Sequence, residues 1–362
     1  MASSFSARSP RSAGTPKSAR TPRPDRSCLG ARRVRVRGAA VTAVVLVAAT
    51  GLLAACAPAP KPSPQPASGP TRPSSPTVGP CPLFPAENLW HADVRGLGVH
   101  PRSTDWRSTV GAGRGLKADF GSGTWDGGPI GIPFTRVGAG QTPARITFAY
   151  DDESDPGPYP VPADAPLEHG SDHHVIVVDD STCRLYELFD ATRTSATTWT
   201  AGSGATWDLR SNALRPAGWT SADAAGLPIL PGLVRYEEVA AGRIDHAVRF
   251  TVPVTQRSYL WPARHQAGST SSPTAPPMGA TFRLRANFDT SRLGPQARVV
   301  AEALKVHGMV LADNGSAWYL SGAPDDRWNN DDLRTLGNIT GADLEAVDTS
   351  PLMVSADSGQ AR

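Results

Sequence analysis

The sequence lacks the short motifs that mark the commonest enzyme classes. It contains no Gly-x-Ser-x-Gly, no His-Glu-x-x-His, no Gly-x-x-x-x-Gly-Lys-Ser/Thr and no paired Cys-x-x-Cys. These absences exclude hydrolases with a serine nucleophile elbow, zincins, P-loop enzymes and paired-cysteine zinc sites. The adjacent His173 and His174 would point to opposite faces of a strand and could not easily bind one ion. We therefore predict no metal and no cofactor.

Basic residues are scarce in the larger part of the chain. The sequence has 36 Lys and Arg and 33 Asp and Glu, and residues 1–80 hold 12 of the basic residues but only one acidic residue, Asp25. Residues 81–362 therefore keep 24 basic and 32 acidic groups, a net charge of −8. Nucleic-acid backbones are bound by clustered Lys and Arg, so this composition argues against a nucleic-acid partner.

The N-terminal region has the sequence pattern expected of an export signal. Arg32, Arg33, Arg35 and Arg37 precede an uncharged apolar run over residues 38–55, which ends in Leu53-Ala54-Ala55-Cys56. A basic flank, an apolar segment and small residues before a cysteine are typical of a cleaved signal. The segment resembles the lipobox of bacterial lipoproteins, which implies that Cys56 is lipidated and becomes the first mature residue. An uncleaved membrane anchor is the alternative, and Arg32-Arg33 leaves export by the Sec or the twin-arginine route open.

Proline then separates the signal from the rest of the chain. Residues 57–80 carry nine prolines among Ser, Ala and Gly, a composition that cannot bury enough apolar surface to fold. The sequence thus predicts a signal peptide over 1–55, a lipidated cysteine and Pro-rich linker over 56–80, and a single extracytoplasmic domain over 81–362. The lipid at Cys56 would make the membrane a partner and place the protein on the extracytoplasmic face of the cell membrane.

Only four cysteines occur, and Cys28 would leave with the signal while Cys56 would be lipidated. In an oxidising setting the remaining two, Cys81 and Cys183, are expected to form a disulfide. The alternative, a catalytic thiol, would need a cysteine without a partner.

Short β-type runs dominate the domain. They cover residues 145–150, 174–179, 184–189, 205–209, 243–252, 258–261, 281–289, 308–313 and 317–321. Helical spacing appears over Pro295–His307, and a second helix is expected near Asn330. Many short strands with few helices predict a mainly β fold, an antiparallel β-sandwich with one or two helices, with an α+β domain as the alternative.

Six candidate catalytic residues lie within one stretch of 43 residues. They are Asp223, Glu237, His246, Arg249, Arg264 and His265. In hydrolysis of a glycan, Asp223 and Glu237 would act as acid and base. In elimination, His246 or His265 would remove a proton while Arg249 neutralised a sugar carboxylate. Each of these residues could equally satisfy polar atoms of a β protein.

All nine tryptophans lie in the domain, and several neighbour Gly, Asp or Asn, as in Trp125-Asp126-Gly127-Gly128. Sugars stack their C–H faces on such rings. The candidates for substrate binding are Trp207, Trp219, Trp261 and Trp328, although tryptophan is also a common core residue.

The stretch Trp219–His265, Pro277-Met278-Gly279 and the block from His307 to Gly315 resemble an uncharacterised family of secreted bacterial proteins. That resemblance implies no activity. The residues favour a polysaccharide hydrolase or lyase acting on cell-wall or environmental polysaccharide, and the alternative is a non-catalytic surface module that binds glycan or protein. A solute-binding lipoprotein is disfavoured because alternating helices and parallel strands are missing.

Overall fold

A computed structural model describes residues 75–362, which form four α-helices and nineteen short strands. The helices are α1 (Ser103–Val110), α2 (Tyr236–Ala240), α3 (Pro295–Val306) and α4 (Asn330–Arg334). The strands are β1 (Thr77–Val78), β2 (Cys81–Pro82), β3 (Lys117–Asp119), β4 (Thr124–Trp125), β5 (Gly128–Pro129), β6 (Thr135–Val137), β7 (Arg145–Phe148), β8 (Val175–Asp179), β9 (Arg184–Phe189), β10 (Thr192–Arg193), β11 (Thr198–Ala201), β12 (Ser203–Asp208), β13 (Val248–Val252), β14 (Gln256–Tyr259), β15 (Pro277–Met278), β16 (Thr281–Leu284), β17 (Met309–Asn314), β18 (Tyr319–Ser321) and β19 (Leu344–Val347). The prediction of a mainly β fold with few helices is confirmed.

Helix α3 follows its sequence pattern closely. It begins with Pro295 at its first position and buries an apolar face that includes Ala297, Val300 and Leu304. The backbone N–H groups of Gln296 and Ala297 donate to the carboxylate of Asp332 in α4, at 2.9 and 3.0 Å. A carboxylate at a helix N-terminus satisfies free N–H groups and the helix dipole, so α4 fixes where α3 begins.

The largest sheet has six strands in the order β19-β16-β17-β13-β18-β3. Its core includes Phe250, Phe282 and Trp318, which are fully buried and have ring centroids 5.3–5.8 Å apart. Burying an apolar side chain of this kind contributes about 1.5–3 kcal/mol.

The sheets are mixed rather than purely antiparallel. Strand β13 pairs in parallel with β17, and β18 pairs in parallel with β3. Parallel neighbours need a long connection to return the chain, and the segment from β13 to β17 supplies one that includes α3. The sequence shows the strands, but the direction of pairing depends on these long connections.

A four-stranded sheet, β12-β9-β8-β6, and a three-stranded sheet, β10-β11-β7, form the other large part of the fold. A second apolar cluster lies here and includes Tyr159, Val177 and Trp199. Each of the nine predicted β-type runs overlaps an observed strand. The run over 243–252 is a strand only from Val248 onward, and the run over 281–289 only as far as Leu284.

Cys81 and Cys183 form the predicted disulfide, with their Cα atoms 5.3 Å apart. It joins the β1–β2 hairpin to the turn between β8 and β9. Strand β1 begins at Thr77, so paired structure starts inside the segment that composition assigns to the linker. The lipobox cysteine Cys56, the signal segment and residues 56–74 of the linker lie outside the described residues. No helix within residues 75–362 has both the length and the apolarity needed to cross a membrane.

Candidate functional site

Two adjoining cavities lie where the large sheet meets the long connection between β12 and β13. Cavity A, of about 450 Å³, is lined by residues that include Tyr150, Phe189, Asp223 and His265. Cavity B, of about 160 Å³, is lined by residues that include Asp119, Glu168, His174 and Arg249. Asp172, Asp313 and Asn314 line both, so we treat the two cavities as one cleft.

A β-bulge turns Asp313 toward the cleft. Along the β13–β17 ladder Phe250 pairs with Leu311 but Thr251 pairs with Asp313, which leaves Ala312 as an extra residue. The carbonyl of Ala312 accepts a hydrogen bond from the N–H of Ala225 at 2.9 Å. Bulges redirect side chains at the edges of sites. This one also ties the connection that carries Asp223 to the strand that carries Asp313.

Glycine and serine shape that connection. Gly226 has φ +68°, and a Cβ there would lie 2.5 Å from the carbonyl oxygen of Trp219, so the turn requires glycine. Ser221 Oγ accepts from the N–H of Asp223 at 2.9 Å and donates to the carbonyl of Leu227 at 2.6 Å. The loop is therefore ordered by its own hydrogen bonds, and the position of Asp223 is fixed.

Arg249 is the centre of a buried ionic network. Its Nε and Nη2 donate to the two carboxylate oxygens of Asp223, both at 2.8 Å. Nη2 also lies 3.1 Å from a carboxylate oxygen of Asp313, and Nη1 donates to Ser321 Oγ at 2.7 Å. The Arg249 side chain is only 4% exposed. Four of its N–H donors are thus engaged within the protein, and its role is to organise the carboxylates around it.

His174 forms a second buried ion pair. Its Nδ1 donates to Glu168 in a short hydrogen bond, and its Nε2 donates to the carbonyl of Ala222 at 3.0 Å. Because both ring nitrogens face acceptors, the doubly protonated imidazolium fits the site. Burial opposes that charge, but the hydrogen bond and charge of Glu168 outweigh it and raise the pKa of His174 to about 9.

Two of the carboxyl groups that line cavity B, those of Asp313 and Glu168, have opposite environments. Burial, and then the nearby charge of Asp223, raise the pKa of Asp313 to about 7. Burial also opposes ionisation of Glu168, but its hydrogen bonds to His174 outweigh that effect and lower its pKa. The side chains are 19% and 17% exposed, so each remains reachable from the cleft. At neutral pH one group can donate a proton while the other is an anion.

Three of the six predicted catalytic residues belong to the cleft. Asp223 and His265 line cavity A, and Arg249 lines cavity B. His265 donates from Nδ1 to the carbonyl of Ala224 at 2.8 Å, and its Nε2 lies 4.0 Å from Glu153. Asp223 lies in the long connection before β13, Arg249 lies on β13 and His265 follows β14. Hydrogen bonds from Arg249 to Asp223 and from His265 to Ala224 bring the three residues together.

The other three lie elsewhere. Glu237 is exposed, pairs with Arg327 at 2.5 Å and lines a separate cavity of about 480 Å³. His246 is 1% exposed and donates to the Ala247 carbonyl and to Glu238. Arg264 donates to backbone carbonyls of Arg215 and Ala356 at 2.7 and 2.5 Å and pairs with Asp357. These three side chains satisfy local polar groups, and Glu237 does not share a cavity with Asp223.

The four tryptophans expected to bind sugar do not line the cleft. Trp207 and Trp328 are only 4% and 3% exposed and are core residues. Rings that are buried in this way cannot stack on a sugar. Trp219 lies near the Arg215 guanidinium, and Trp261 donates to the carbonyl of Ser358 at 2.9 Å. The aromatic side chains of cavity A are instead Tyr150, which is 55% exposed, and Phe189.

Sequence reasoning missed Glu168, His174 and Asp313 as site residues. Asp313 is the last residue of the predicted β-type run over 308–313, and His174 is the first residue of the run over 174–179. Glu168 has no local signal, since it lies in a loop without a regular pattern and its hydrogen bonds to His174 appear only when that loop is folded. Within residues 75–362 no group of three or more His, Cys, Asp or Glu side chains is arranged to hold a metal ion. The chain matches no protein-family model, no curated protein and no solved structure.

Proposed function

We propose that the protein is a glycoside hydrolase that cleaves neutral glycans in the cleft formed by cavities A and B. The observation that carries the proposal is the pair Asp313 and Glu168, which line one cavity and have their pKa values moved in opposite directions. Glycosidases use such a pair, one carboxyl group as the proton donor and one as an anion.

The residues have separate roles in this reaction. Protonated Asp313 gives its proton to the glycosidic oxygen as the bond from that oxygen to the anomeric carbon breaks. Ionised Glu168 stabilises the positive charge that develops at the anomeric carbon. Water adds its hydroxyl group to that carbon, and its remaining proton restores Asp313 through the solvent, so each turnover consumes one water.

Hydrolysis is better supported than elimination. Elimination would need Arg249 to pair with a sugar carboxylate, but its guanidinium is buried and donates to Asp223, Asp313 and Ser321. His246, one of the two bases expected for elimination, is buried outside the cleft. The acidic side chains that line the cleft outnumber its Arg and His side chains, so the cleft disfavours an anionic polysaccharide. These acidic residues are Asp119, Glu153, Glu168, Asp172, Asp223 and Asp313.

The proposal includes a location. The lipobox motif Leu53-Ala54-Ala55-Cys56 and the following Pro-rich segment support a lipid-anchored protein outside the cytoplasm. The disulfide between Cys81 and Cys183 agrees with an oxidising compartment. A Cys56→Ser variant should leave the membrane fraction and lose its lipid, as measured by fractionation and mass spectrometry. Membrane retention of that variant would contradict the anchor.

The activity is tested on the purified full-length protein with cello-, chito-, malto- and xylo-oligosaccharides and with polygalacturonate. We expect new reducing ends from at least one neutral glycan, no unsaturated uronate, and a loss of at least about 100-fold in kcat for Asp313→Asn. Asp105→Asn, an exposed Asp on α1 that pairs with Arg102, is the matched control and should keep full activity. Binding without new reducing ends would overturn hydrolysis and favour the glycan-binding module.

A further inference from the structure

One tryptophan differs from all the others in its exposure. Trp125 is 75% exposed, the highest value among the large apolar side chains of the described residues. It lies in the two-stranded hairpin of β4 and β5, which is joined by Asp126 and Gly127. An exposed indole presents a flat apolar face beside a polar N–H group, a combination that is enriched at binding interfaces.

The hairpin rises from the edge of cavity B. The chain enters it from Asp119 and leaves it toward Ile132, and both residues line that cavity. Gly121 donates from its N–H to the carbonyl of Ile130 at 3.1 Å and closes the base of the hairpin. Asn330 then holds the base from outside, because it accepts from the N–H of Ser122 and donates to the Ser122 carbonyl, each at 3.0 Å.

The turn itself is tight. Asp126 has φ +51° and Gly127 has φ +97°, the two positive values that a type I′ hairpin turn requires. An Asp-Gly pair is among the best sequences for that turn. The indole of Trp125 is therefore carried by a regular hairpin rather than by an irregular loop.

The tip of the hairpin is also attached to the chain that carries Glu168. The next residue, His169, donates from Nε2 to the Asp126 carbonyl at 2.8 Å. Its ring packs so closely on Gly128 that a Cβ there would lie 2.1 Å from the imidazole. Because Glu168 lines cavity B, one short segment holds both the carboxylate that is proposed to act as the anion and the support of Trp125.

We propose that Trp125 is the stacking platform of a further sugar-binding subsite at the edge of cavity B. Its ligand is one pyranose unit of a neutral glycan chain that extends out of the cleft, and this inference rests on the proposed function. The apolar C–H face of the sugar covers the indole, while the exposed carboxylate of Asp126 accepts hydrogen bonds from its hydroxyl groups. A platform fixed before binding loses little entropy when the sugar docks.

The experiment compares oligosaccharides of two to six units from the series named above. Only a chain that reaches from cavity B to the hairpin should contact Trp125. In Trp125→Ala, the ratio of kcat/KM for the hexamer to kcat/KM for the dimer should fall about tenfold, which corresponds to about 1.4 kcal/mol. Trp125→Phe, which keeps an aromatic face, should restore most of the ratio. Tyr259→Ala, an exposed aromatic side chain of β14 outside the cleft lining, is the matched control and should leave the ratio unchanged.

Binding of the same oligosaccharides to each variant is measured in parallel by calorimetry, so that the two proposals fail separately. Cleavage with an unchanged ratio in Trp125→Ala would overturn the platform and leave the hydrolase standing. Binding that depends on Trp125 without cleavage would support the platform and overturn the hydrolase. Neither binding nor cleavage by the wild-type protein would overturn both.

Discussion

Arg249 holds Asp223 by two parallel hydrogen bonds of 2.8 Å, one to each carboxylate oxygen, and both side chains are buried. This pair joins strand β13 to the loop that forms one wall of cavity A. The same guanidinium reaches Asp313 from the neighbouring strand β17. Arg249 therefore fixes the relative positions of two carboxylates that the sequence separates by 90 residues.

Removing one partner of this pair should destabilise the fold strongly. Asp223→Asn leaves the buried guanidinium without its main counter-charge, and we expect a loss of about 3–5 kcal/mol in the free energy of unfolding, measured with urea. The control is Asp93→Asn, which breaks the exposed pair with Arg95 and should cost less than about 1 kcal/mol. Equal losses in the two variants would contradict a structural role for the buried pair.

The charge of His174 should depend on Glu168. In Glu168→Gln the imidazole keeps its burial but loses its charged acceptor, so we expect its pKa to fall from about 9 to below the ordinary value of 6.5. Nuclear magnetic resonance of the imidazole carbons gives the titration directly. A His174 that still titrates near 9 in this variant would show that another group holds the charge.

The buried carboxyl group of Glu187 should make the protein less stable as the pH rises. Its oxygens accept from the N–H groups of Ile229 and Leu230, but burial outweighs these bonds and raises its pKa from 4.5 to about 7. The folded state thus binds more protons than the unfolded state between these values. Stability from this group is fully present below about pH 4.5 and is lost as the pH rises through about 7.

Glu187→Gln removes that titration while keeping an acceptor for the two N–H groups. The free energy of unfolding should therefore fall less between pH 5 and 8, on the order of a few kcal/mol less, than in the wild-type protein. Glu302→Gln, at an exposed position of α3, is the control and should leave the slope of unfolding free energy against pH unchanged. An unchanged slope in Glu187→Gln would contradict the raised pKa.

The disulfide should stabilise the fold because it closes a long loop and so lowers the conformational entropy of the unfolded chain. Cys81 and Cys183 are 102 residues apart, so the chain-entropy account gives about 4–5 kcal/mol for the cross-link. The double variant Cys81→Ser and Cys183→Ser should unfold at a correspondingly lower urea concentration. An unchanged midpoint would show that the hairpin β1–β2 is held without the cross-link.

Local elements such as α3 could be predicted from the sequence. The cleft could be predicted only in part. The spacing of Ala297, Val300 and Leu304 and the proline at position 295 specify α3 without any knowledge of the rest. Asp223, Arg249 and His265 lie within 43 residues, and contacts among the loop before β13, β13 itself and the segment after β14 bring them together. Glu237 shares that closeness but lies on α2, which turns it toward Arg327 at the surface.

The rest of the site depends on tertiary contacts. Glu168 meets His174 across a loop, and Asp313 is redirected by a bulge that the pattern of β17 does not reveal. The prediction that Trp207 and Trp328 stack on a sugar was wrong, because neighbouring Gly, Asp or Asn residues do not decide whether a tryptophan is buried. Exposure of an aromatic side chain became visible only with the fold.

The pH dependence of kcat/KM on a neutral oligosaccharide tests the hydrolase most directly, because it reports the groups of the free enzyme. A general acid must be protonated, so activity should be full below the pKa of Asp313 and fall as the pH rises through about 7. Ionised Glu168, whose pKa is lowered, should keep activity down to below pH 4.5. In Asp313→Asn the alkaline limb should disappear together with most of the rate. A constant rate between pH 6 and 9, or an alkaline limb that survives in Asp313→Asn, would contradict Asp313 as the acid.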